Sequence, residues 1–292
     1  MRKSFANKKL YVVATPIGNI GDLSERAKQT LINVDAVLAE DTRVSSKLLF
    51  MLGIKKPMFS CHKFNEMGVG DELKNLYERF DSLALVSDAG TPGVSDPGAI
   101  IVARARELGV LVEAIPGASA VVTALSLSGI NKTEFAFMGF FPRANGDKTK
   151  FIKKIENASG AVSTFIIYES PQRIVETVKT LGESLNKKIN KLCVFNDLTK
   201  QFERHYVGGG KAVLNALEKN PNVNKGEYVI VLDLNAQALN EQDNTAPALE
   251  AVLIDYIVKN NCTIKDAITM LTKQGYKKND LYKASLNFKS LI

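Results

Sequence analysis

Short apolar runs alternate with amphipathic segments through the first 130 residues of the chain. The runs have the length of buried strands, and the segments between them repeat their apolar positions at the helical period. Residues 42–52 are an example, with apolar side chains at 44, 48, 49 and 52 before a terminating glycine. This alternation predicts a mostly parallel sheet with right-handed crossovers. The predicted strands are 10–14, 35–39, 58–61, 83–86 and 111–115, and the main predicted helices are 42–52, 71–80 and 96–108.

The same alternation restarts near Asn131, which predicts a second α/β domain. A polar segment at 235–245 is typical of a linker, and three short amphipathic helices are predicted beyond it. We therefore expect an α/β protein with domains at 1–130 and 131–235 and a basic helical extension at 246–292. The predicted strands of the second domain are 135–140, 162–168, 191–195, 203–207 and 227–234, and its predicted helices are 148–156 and 171–181, with Pro171 in the first turn.

Glycine-rich and polar loops follow the predicted strands of the first domain. The carboxyl ends of parallel strands share one edge of the sheet, so these loops should form one wall of a ligand site. The most distinctive is SDAGTPGVSDPG at 87–98, which fits neither the phosphate-binding loop nor the GxGxxG dinucleotide fingerprint. We expect it to bind a small polar ligand. Asp96 precedes Pro97 and is interpreted as a helix N-cap, whereas Asp88 has no such structural explanation.

The composition is that of an ordinary globular protein, with 45% hydrophobic and 24% charged residues. A net charge of +7 favours a polyanionic partner such as nucleic acid. Three widely spaced cysteines indicate a reducing compartment, and no apolar run reaches the ~18 residues of a membrane helix. We expect a soluble cytoplasmic protein. His62 and His205 lack metal-ligand spacing, so no metal is expected, although a magnesium site made of carboxylates alone stays open.

Some charged positions allow two interpretations from the residues alone. Asp41 and Arg43 are equally consistent with a surface pair at a helix start and with a functional role. Lys200 fits a solvated face as well as a binding site. Cys61 is interpreted as a buried, inert thiol. The tail reads as two helices around Gly275, a pattern that either packs or docks on nucleic acid.

Six motifs in order resemble one family. They are ATPIGN at 14–19, AEDTR at 39–43, SDAGTPGVSDPG at 87–98, PGASA at 116–120, YESPQR at 168–173 and NDLTKQFE at 196–203. Together they resemble the ribosomal RNA small subunit methyltransferase I family of the tetrapyrrole methylase superfamily, the class III methyltransferases. The resemblance implies two α/β domains with S-adenosylmethionine in the cleft between them, and a homodimer. It also implies 2'-O-methylation of a cytidine in the decoding region of 16S ribosomal RNA, in the RNA or the small ribosomal subunit.

The resemblance assigns site residues at matching positions. The expected cofactor-binding residues are Pro16, Ile17, Gly18, Asp88, Ala89, Gly90, Thr91, Gly93, Ala118, Ser119, Tyr168 and Leu198. Asp197 stands where many relatives are expected to have glutamate. A ribose hydroxyl needs a base, for which the candidates are Asp41 and His62, with Glu40 in reserve. The candidates for holding phosphates are Arg43, Lys200, Lys277 and Lys278.

Two other functions stay open at this point. One is methylation of a small molecule such as a tetrapyrrole, against which the basic balance and the helical tail argue. The other is a non-catalytic RNA-binding module in ribosome assembly that keeps the cofactor fold. Stabilisation by S-adenosylmethionine without any methylated product would favour the second.

Overall fold

The computed structural model describes residues 5–235 and 249–289. The chain divides into two compact units, Met1–Leu234 and Asn235–Ile292. The first unit contains two five-stranded sheets, one on either side of residue 130. The division of this unit into domains at that point stays a prediction. None of the described helices combines the length and the apolar character needed to cross a membrane.

The first sheet is entirely parallel and has the strand order β3-β2-β4-β1-β5. Apolar side chains pack on both of its faces, in one cluster around Leu38, Leu85 and Tyr77 and another around Val37 and Leu31. Its strands are β1 (Lys9–Val13), β2 (Ala36–Ala39), β3 (Met58–Ser60), β4 (Ser82–Val86) and β5 (Leu111–Ile115). Its helices are α1 (Glu25–Asn33), α2 (Thr42–Met51), α3 (Glu66–Arg79), α4 (Ala99–Glu107) and α5 (Ala120–Ser128).

The second sheet is mixed, with the order β6-β7-β10-β8-β9. Only β6 and β7 are parallel, and the other three pairs are antiparallel. One face packs against α5 and Ile17 through Ile166, Phe195 and Val231. The strands are β6 (Ala136–Phe140), β7 (Thr164–Glu169), β8 (Ile189–Asn196), β9 (Arg204–Gly208) and β10 (Tyr228–Leu234). The helices are α6 (Asn145–Ala158), α7 (Ile174–Leu185) and α8 (Gly210–Glu218).

Four helices begin three or more residues away from their predicted starts, among them α6, which begins at Asn145 instead of Lys148, and α8 was not predicted. Helix α3 begins at Glu66, five residues before its predicted start, and includes Gly68 and Gly70. A Cβ at one of them, Gly70, would lie 3.1 Å from Arg104 Cγ, so the glycine lets α3 and α4 approach closely. Helix α7 begins at Ile174, so Pro171 lies before its first turn. Helix α4 begins at Ala99, three residues after the predicted N-cap.

The second unit consists of three helices, Leu249–Asn260, Ile264–Lys273 and Lys278–Lys289. They pack around their own apolar cluster, which includes Leu253 and Leu271. The Thr263 side chain caps the second helix by accepting a hydrogen bond from Asp266 N. The three predicted helices are thus present. The predicted linker lies outside the described residues apart from Asn235.

Candidate functional site

The loop after β4 is fastened to the end of β1. Thr15 N donates to Gly90 O at 2.9 Å and Gly90 N donates to Thr15 O at 3.1 Å, which forms an isolated antiparallel bridge. Gly90 has a φ of +78°, and a Cβ there would lie 3.3 Å from Ile17 Cγ2. Both the backbone conformation and the close packing therefore favour glycine at this position.

The other end of this loop is held by a buried glutamate. Glu66 Oε1 accepts hydrogen bonds from Gly98 N at 2.7 Å and Ile100 N at 2.9 Å, at the start of α4. The carboxylate therefore satisfies two of the free N–H groups at the helix terminus. Because Glu66 performs this role and the N-cap is Gly98, the interpretation of Asp96 as the N-cap was wrong. Asp96 instead lines a cavity at the carboxyl edge of the first sheet.

Three carboxylates from neighbouring loops meet at this cavity. Asp88 N donates to Glu40 Oε2 at 3.2 Å, and Asp41 N donates to Asp88 Oδ1 at 2.9 Å, so the loops after β2 and β4 brace each other. Glu40, Asp88 and Asp96 all line the cavity. Burial raises the pKa of each of these three carboxyls. The pKa of Asp96 rises furthest, to about 7, because the charges of Glu40 and Asp88 add to the effect of burial.

The cavity has a volume of about 430 Å³, within the usual range for small-molecule sites. Both sheets supply polar lining residues, and the aromatic ones all come from the second sheet. Tyr168 lies between Phe137 and Phe140, with ring centroids 4.8 and 5.5 Å away in edge-to-face contacts. Burial, and then the charge of Asp96, raises the pKa of Tyr168 to about 12. The phenol is therefore neutral at physiological pH.

A buried ion pair fixes the turn that completes this second wall. Glu169 is fully buried and its carboxylate contacts Arg173 Nη2 at 2.5 Å. The same carboxylate accepts hydrogen bonds from Ser170 N and Thr177 Oγ1. Arg173 also donates to Phe141 O at 3.1 Å. The YESPQR motif is thus locked into one conformation at the cavity rim.

Eight of the twelve predicted cofactor-binding residues line the cavity. They are Ile17, Asp88, Ala89, Gly90, Thr91, Ser119, Tyr168 and Leu198. Pro16, Gly18, Gly93 and Ala118 are not among the lining residues, and the last three shape the loops instead. A Cβ at Gly18 would lie 2.5 Å from Lys200 Cγ, Gly93 N donates to Pro97 O, and Ala118 O accepts from Thr91 Oγ1.

The three candidate bases have different surroundings. Glu40 lines the cavity. Asp41 caps α2 and pairs with Arg43, whose side-chain and backbone hydrogen bonds lower the pKa of this carboxyl to about 2. His62 is not among the residues that line the cavity, and its Nδ1 accepts from Phe64 N at 3.2 Å. Cys61 is buried, which raises the pKa of its thiol to about 12 and fits the predicted inert role.

The candidate phosphate-binding residues also differ in their surroundings. Lys200 Nζ contacts Asp197 at 2.8 Å and Glu227 at 3.0 Å, so its charge is already shared between two carboxylates. Arg43 is 87% exposed and pairs only with Asp41 among the ion pairs of the described residues. In the second unit, Lys277 and Lys278 are exposed at the turn before the last helix.

Several lining residues were not predicted. Glu227, Tyr228 and Val229 lie at the start of β10, whereas sequence reasoning considered only the residues that follow strands. Asp96 belongs to the central motif and was misinterpreted as a cap. Glu169 belongs to the YESPQR motif. Its signal in the sequence is a single charged residue directly after a predicted apolar strand. Within residues 5–235 and 249–289, no group of three or more His, Cys, Asp or Glu side chains is suited to hold a metal ion.

The charge of the lining residues indicates the class of ligand. Five carboxylates line the cavity, those of Glu40, Asp88, Asp96, Glu169 and Glu227, and the described lining includes no lysine, arginine or histidine. This arrangement disfavours a polyphosphate nucleotide and suits a ligand that carries positive charge. The sulfonium and ammonium of S-adenosylmethionine fit these carboxylates. Helix α5 begins at the cavity, and such a terminus suits the carboxylate of a ligand.

Comparison with known proteins identifies the relatives of this chain. Residues 9–213 match the family described as Tetrapyrrole (Corrin/Porphyrin) Methylases. The chain is 37% identical over 279 residues to the ribosomal RNA small subunit methyltransferase I of Haemophilus influenzae, an alignment that covers 95% of this chain and 96% of that protein. It is 35% identical over 261 residues to the protein of the same name from Bacillus subtilis, covering 89% of this chain and 87% of that protein.

Solved structures show the same fold. Diphthine synthase superposes with a TM-score of 0.59 at 16% identity, covering 82% of this chain and 98% of that chain. Uroporphyrin-III C-methyltransferase from Thermus thermophilus, complexed with S-adenosylhomocysteine, gives a TM-score of 0.54 at 16% identity, covering 76% and 96%. At these identities the likeness concerns the fold alone. With the match over residues 9–213 and the two curated relatives, the chain belongs to the tetrapyrrole methylases and, within them, to the ribosomal RNA small subunit methyltransferase I family.

Proposed function

We propose that this protein is a methyltransferase that uses S-adenosylmethionine to methylate the RNA of the small ribosomal subunit. At finer resolution we propose the 2'-hydroxyl of a cytidine in the decoding region of 16S ribosomal RNA as the acceptor. The observation that carries the proposal is an acidic cavity of about 430 Å³, formed by the family's motif loops in a chain 37% identical to a named ribosomal RNA methyltransferase over 95% of its length. The net charge of +7 agrees with an RNA substrate.

S-adenosylmethionine is the cofactor, and it supplies an electrophilic methyl group on a sulfonium. Ile17 and Leu198 offer apolar contacts for such a molecule, and Asp88 and Asp96 offer negative charge for its cationic groups. The twelve residues predicted from the resemblance stay proposals in these roles. The eight that line the cavity would contact the cofactor directly. Pro16, Gly18, Gly93 and Ala118 would act by shaping the loops that do.

The chain's own work in such a reaction is alignment, exclusion of water and proton transfer. A ribose hydroxyl is a weak nucleophile and requires a base within hydrogen-bond reach. Of the three bases proposed from sequence, Glu40 has the strongest support, since it lines the cavity and burial raises its pKa. Asp41 is disfavoured, because its pKa near 2 makes it a weak base and its oxygens already bind Arg43. His62 would need to move to reach the cavity.

Electrostatic contacts with phosphates would position the RNA. The exposure of three candidate residues, Arg43, Lys277 and Lys278, supports this role. Lys200 supports it less, because Asp197 and Glu227 share its charge. We further propose that the enzyme is a homodimer and works in the cytoplasm. Light scattering of the purified protein tests the first point directly.

The decisive experiment offers methyl-labelled S-adenosylmethionine to small ribosomal subunits from cells that lack this protein. Digestion and mass spectrometry then locate the label. We expect one 2'-O-methylcytidine in the decoding region, made by the wild-type protein and by the exposed surface variant Asp147→Asn. The cavity variant Asp88→Ala should lose most of the activity.

Each other outcome excludes part of the proposal. Label on a base or on another nucleotide would refute the cytidine 2'-hydroxyl but keep ribosomal RNA as the substrate. Unlabelled RNA together with a labelled small-molecule pool would favour the tetrapyrrole-type reaction. Binding of S-adenosylmethionine without any labelled product would favour a non-catalytic assembly module.

A further inference from the structure

Asp96 is a half-buried carboxylate that forms no ion pair and caps no helix among the described residues. Its helix is capped by Glu66, and it lies at the cavity with Ser87 as its side-chain hydrogen-bond partner. We propose that Asp96 is the catalytic base that takes the proton from the acceptor hydroxyl during methyl transfer. This inference rests on the function proposed above and changes the choice of base, since Asp96 was not among the candidates taken from sequence.

The other carboxylates at the cavity are already engaged. Glu40 accepts a hydrogen bond from Asp88 N, and Asp88 accepts one from Asp41 N, so these two brace the loops. Glu169 is enclosed by Arg173, Ser170 and Thr177, and Glu227 pairs with Lys200. Within the described residues, Asp96 is the lining carboxylate without an ion pair or a backbone hydrogen bond. Its oxygens are therefore the most available to a substrate hydroxyl.

The surroundings of Asp96 also tune its basicity. Glu40 follows β2, Asp88 and Ser87 follow β4, and Tyr168 faces it from β7 in the second sheet. Burial and the two nearby acids raise the pKa of Asp96 to about 7, and the Ser87 hydroxyl opposes this rise. A base whose pKa lies near the working pH combines a useful deprotonated fraction with real proton affinity. Asp41, with a pKa near 2, has much less proton affinity.

The proposed step balances. The acceptor oxygen forms a bond to the methyl carbon while the carbon–sulfur bond breaks, and that electron pair stays on sulfur to give neutral S-adenosylhomocysteine. The hydroxyl proton moves to the Asp96 carboxylate. The resulting carboxylic acid then loses this proton to solvent, which restores the base. No oxidant, reductant or metal is required.

The charge of the cofactor gives the proposal a consequence that does not depend on activity. A positive sulfonium close to Asp96 favours the ionised carboxylate, so binding should lower its pKa and release a proton near pH 7. S-adenosylhomocysteine has no charge at sulfur and should release less. Binding of the methyl donor therefore increases the fraction of Asp96 that is ionised and able to accept a proton.

Calorimetry in buffers of different ionisation enthalpy measures this proton release. At pH 7 we expect about half a proton released when S-adenosylmethionine binds the wild-type protein, because a group with a pKa near 7 is about half protonated there. Asp96→Asn should still bind the cofactor but release almost none, whereas the exposed control Asp147→Asn should keep the release. Glu40→Gln should release less than the wild type, because loss of the Glu40 charge lowers the pKa of Asp96. Equal release by wild type and Asp96→Asn would contradict the titration of Asp96 on binding.

Single-turnover methylation of small subunits across pH completes the test. Asp96→Asn should lower the rate constant by about 10²- to 10⁴-fold, with cofactor affinity changed less than 10-fold. The wild-type rate should fall with decreasing pH as Asp96 becomes protonated, and this dependence should vanish in the variant. If wild type is active and Asp96→Asn matches it, Asp96 is not the base and the proposed function stands. If wild type makes no 2'-O-methylcytidine, both proposals fail.

Discussion

The two sheets contribute to the cavity in different ways. The first is all parallel, so loops distant in sequence reach the same edge, where they bring together Glu40, Asp88 and Asp96. The second is mostly antiparallel, so the end of β7 lies beside the start of β10 and the end of β8, as the pairing of Tyr228 with Glu169 and with Asn196 shows. The loops of the first sheet supply three of the five lining carboxylates, and the second sheet supplies a rigid wall that carries the aromatic side chains together with Glu169 and Glu227.

The largest expected effect comes from breaking the wall of the second sheet. Glu169→Ala removes the carboxylate that holds Arg173, Ser170 N and Thr177 together. Loss of one partner of a buried pair leaves the other without compensation, so the free energy of unfolding should fall by about 3 kcal/mol. Urea unfolding of the wild type and the variant measures this change.

Glu183→Ala is the matched control, because Glu183 lies exposed on α7, the helix that follows the same turn. It should change the free energy of unfolding by less than about 0.5 kcal/mol. A loss below about 1 kcal/mol for Glu169→Ala would mean that the turn does not depend on its ion pair. The description of the second sheet as the rigid wall would then be wrong.

An intermediate effect is expected from the loop of the first sheet. Gly90→Ala forces a side chain into the left-handed region at φ +78° and against Ile17, so the free energy of unfolding should fall by about 1 to 2 kcal/mol. Affinity for S-adenosylmethionine should fall too, since the loop lines the cavity. Thermal unfolding and calorimetric titration measure the two effects.

The same substitution has the opposite sign at Gly146. This glycine lies in the first turn of α6, and an added Cβ meets nothing within 4 Å. Gly146→Ala should therefore stabilise the protein by about 0.5 kcal/mol through the unfolded chain and leave cofactor affinity unchanged. If both variants were equally tolerated, the bridge between Thr15 and Gly90 would not constrain the loop.

The difference between the two sheets also explains which features could be predicted from the sequence. In the parallel sheet, hydrophobic periodicity was sufficient to predict all five strands and the shared edge, because every strand end contributes there. Six of the eight cofactor candidates that line the cavity come from the loops at this edge, and the other two, Tyr168 and Leu198, come from the second sheet. In the antiparallel part of the second sheet, the same edge contains the ends of some strands and the starts of others. Strand starts such as Glu227 and Tyr228 were therefore missed, since pairing direction cannot be read from a pattern of period two.

Local signals failed where a distant residue took over a local role. Asp96 before Pro97 has the pattern of an N-cap, but Glu66 from α3 supplies that hydrogen bonding, and this contact spans 32 residues to Gly98. The glycines of α3 have the pattern of a loop, but Gly70 serves the packing of α3 on α4. Both errors have the same cause: tertiary contacts overrode a correct local preference.

The last expected effect appears only as a difference in stability between two pH values, and it tests the charge carried by the first sheet's edge. Asp96 has a folded-state pKa of about 7, raised above its ordinary value by burial and by Glu40 and Asp88. Its contribution to stability is fully present below the unfolded pKa near 3.9 and is lost as pH rises to about 7.

Asparagine resembles the protonated acid at all pH values. Asp96→Asn should therefore match wild type near pH 4.5 and exceed it at pH 8 by about 1 kcal/mol, a value reduced for solvent screening of this half-buried group. Urea unfolding at both pH values gives the difference, and Asp147→Asn should show no such divergence. Parallel stability curves would mean that the edge carries no unfavourable charge, and that the two walls of the cavity differ in shape but not in electrostatics.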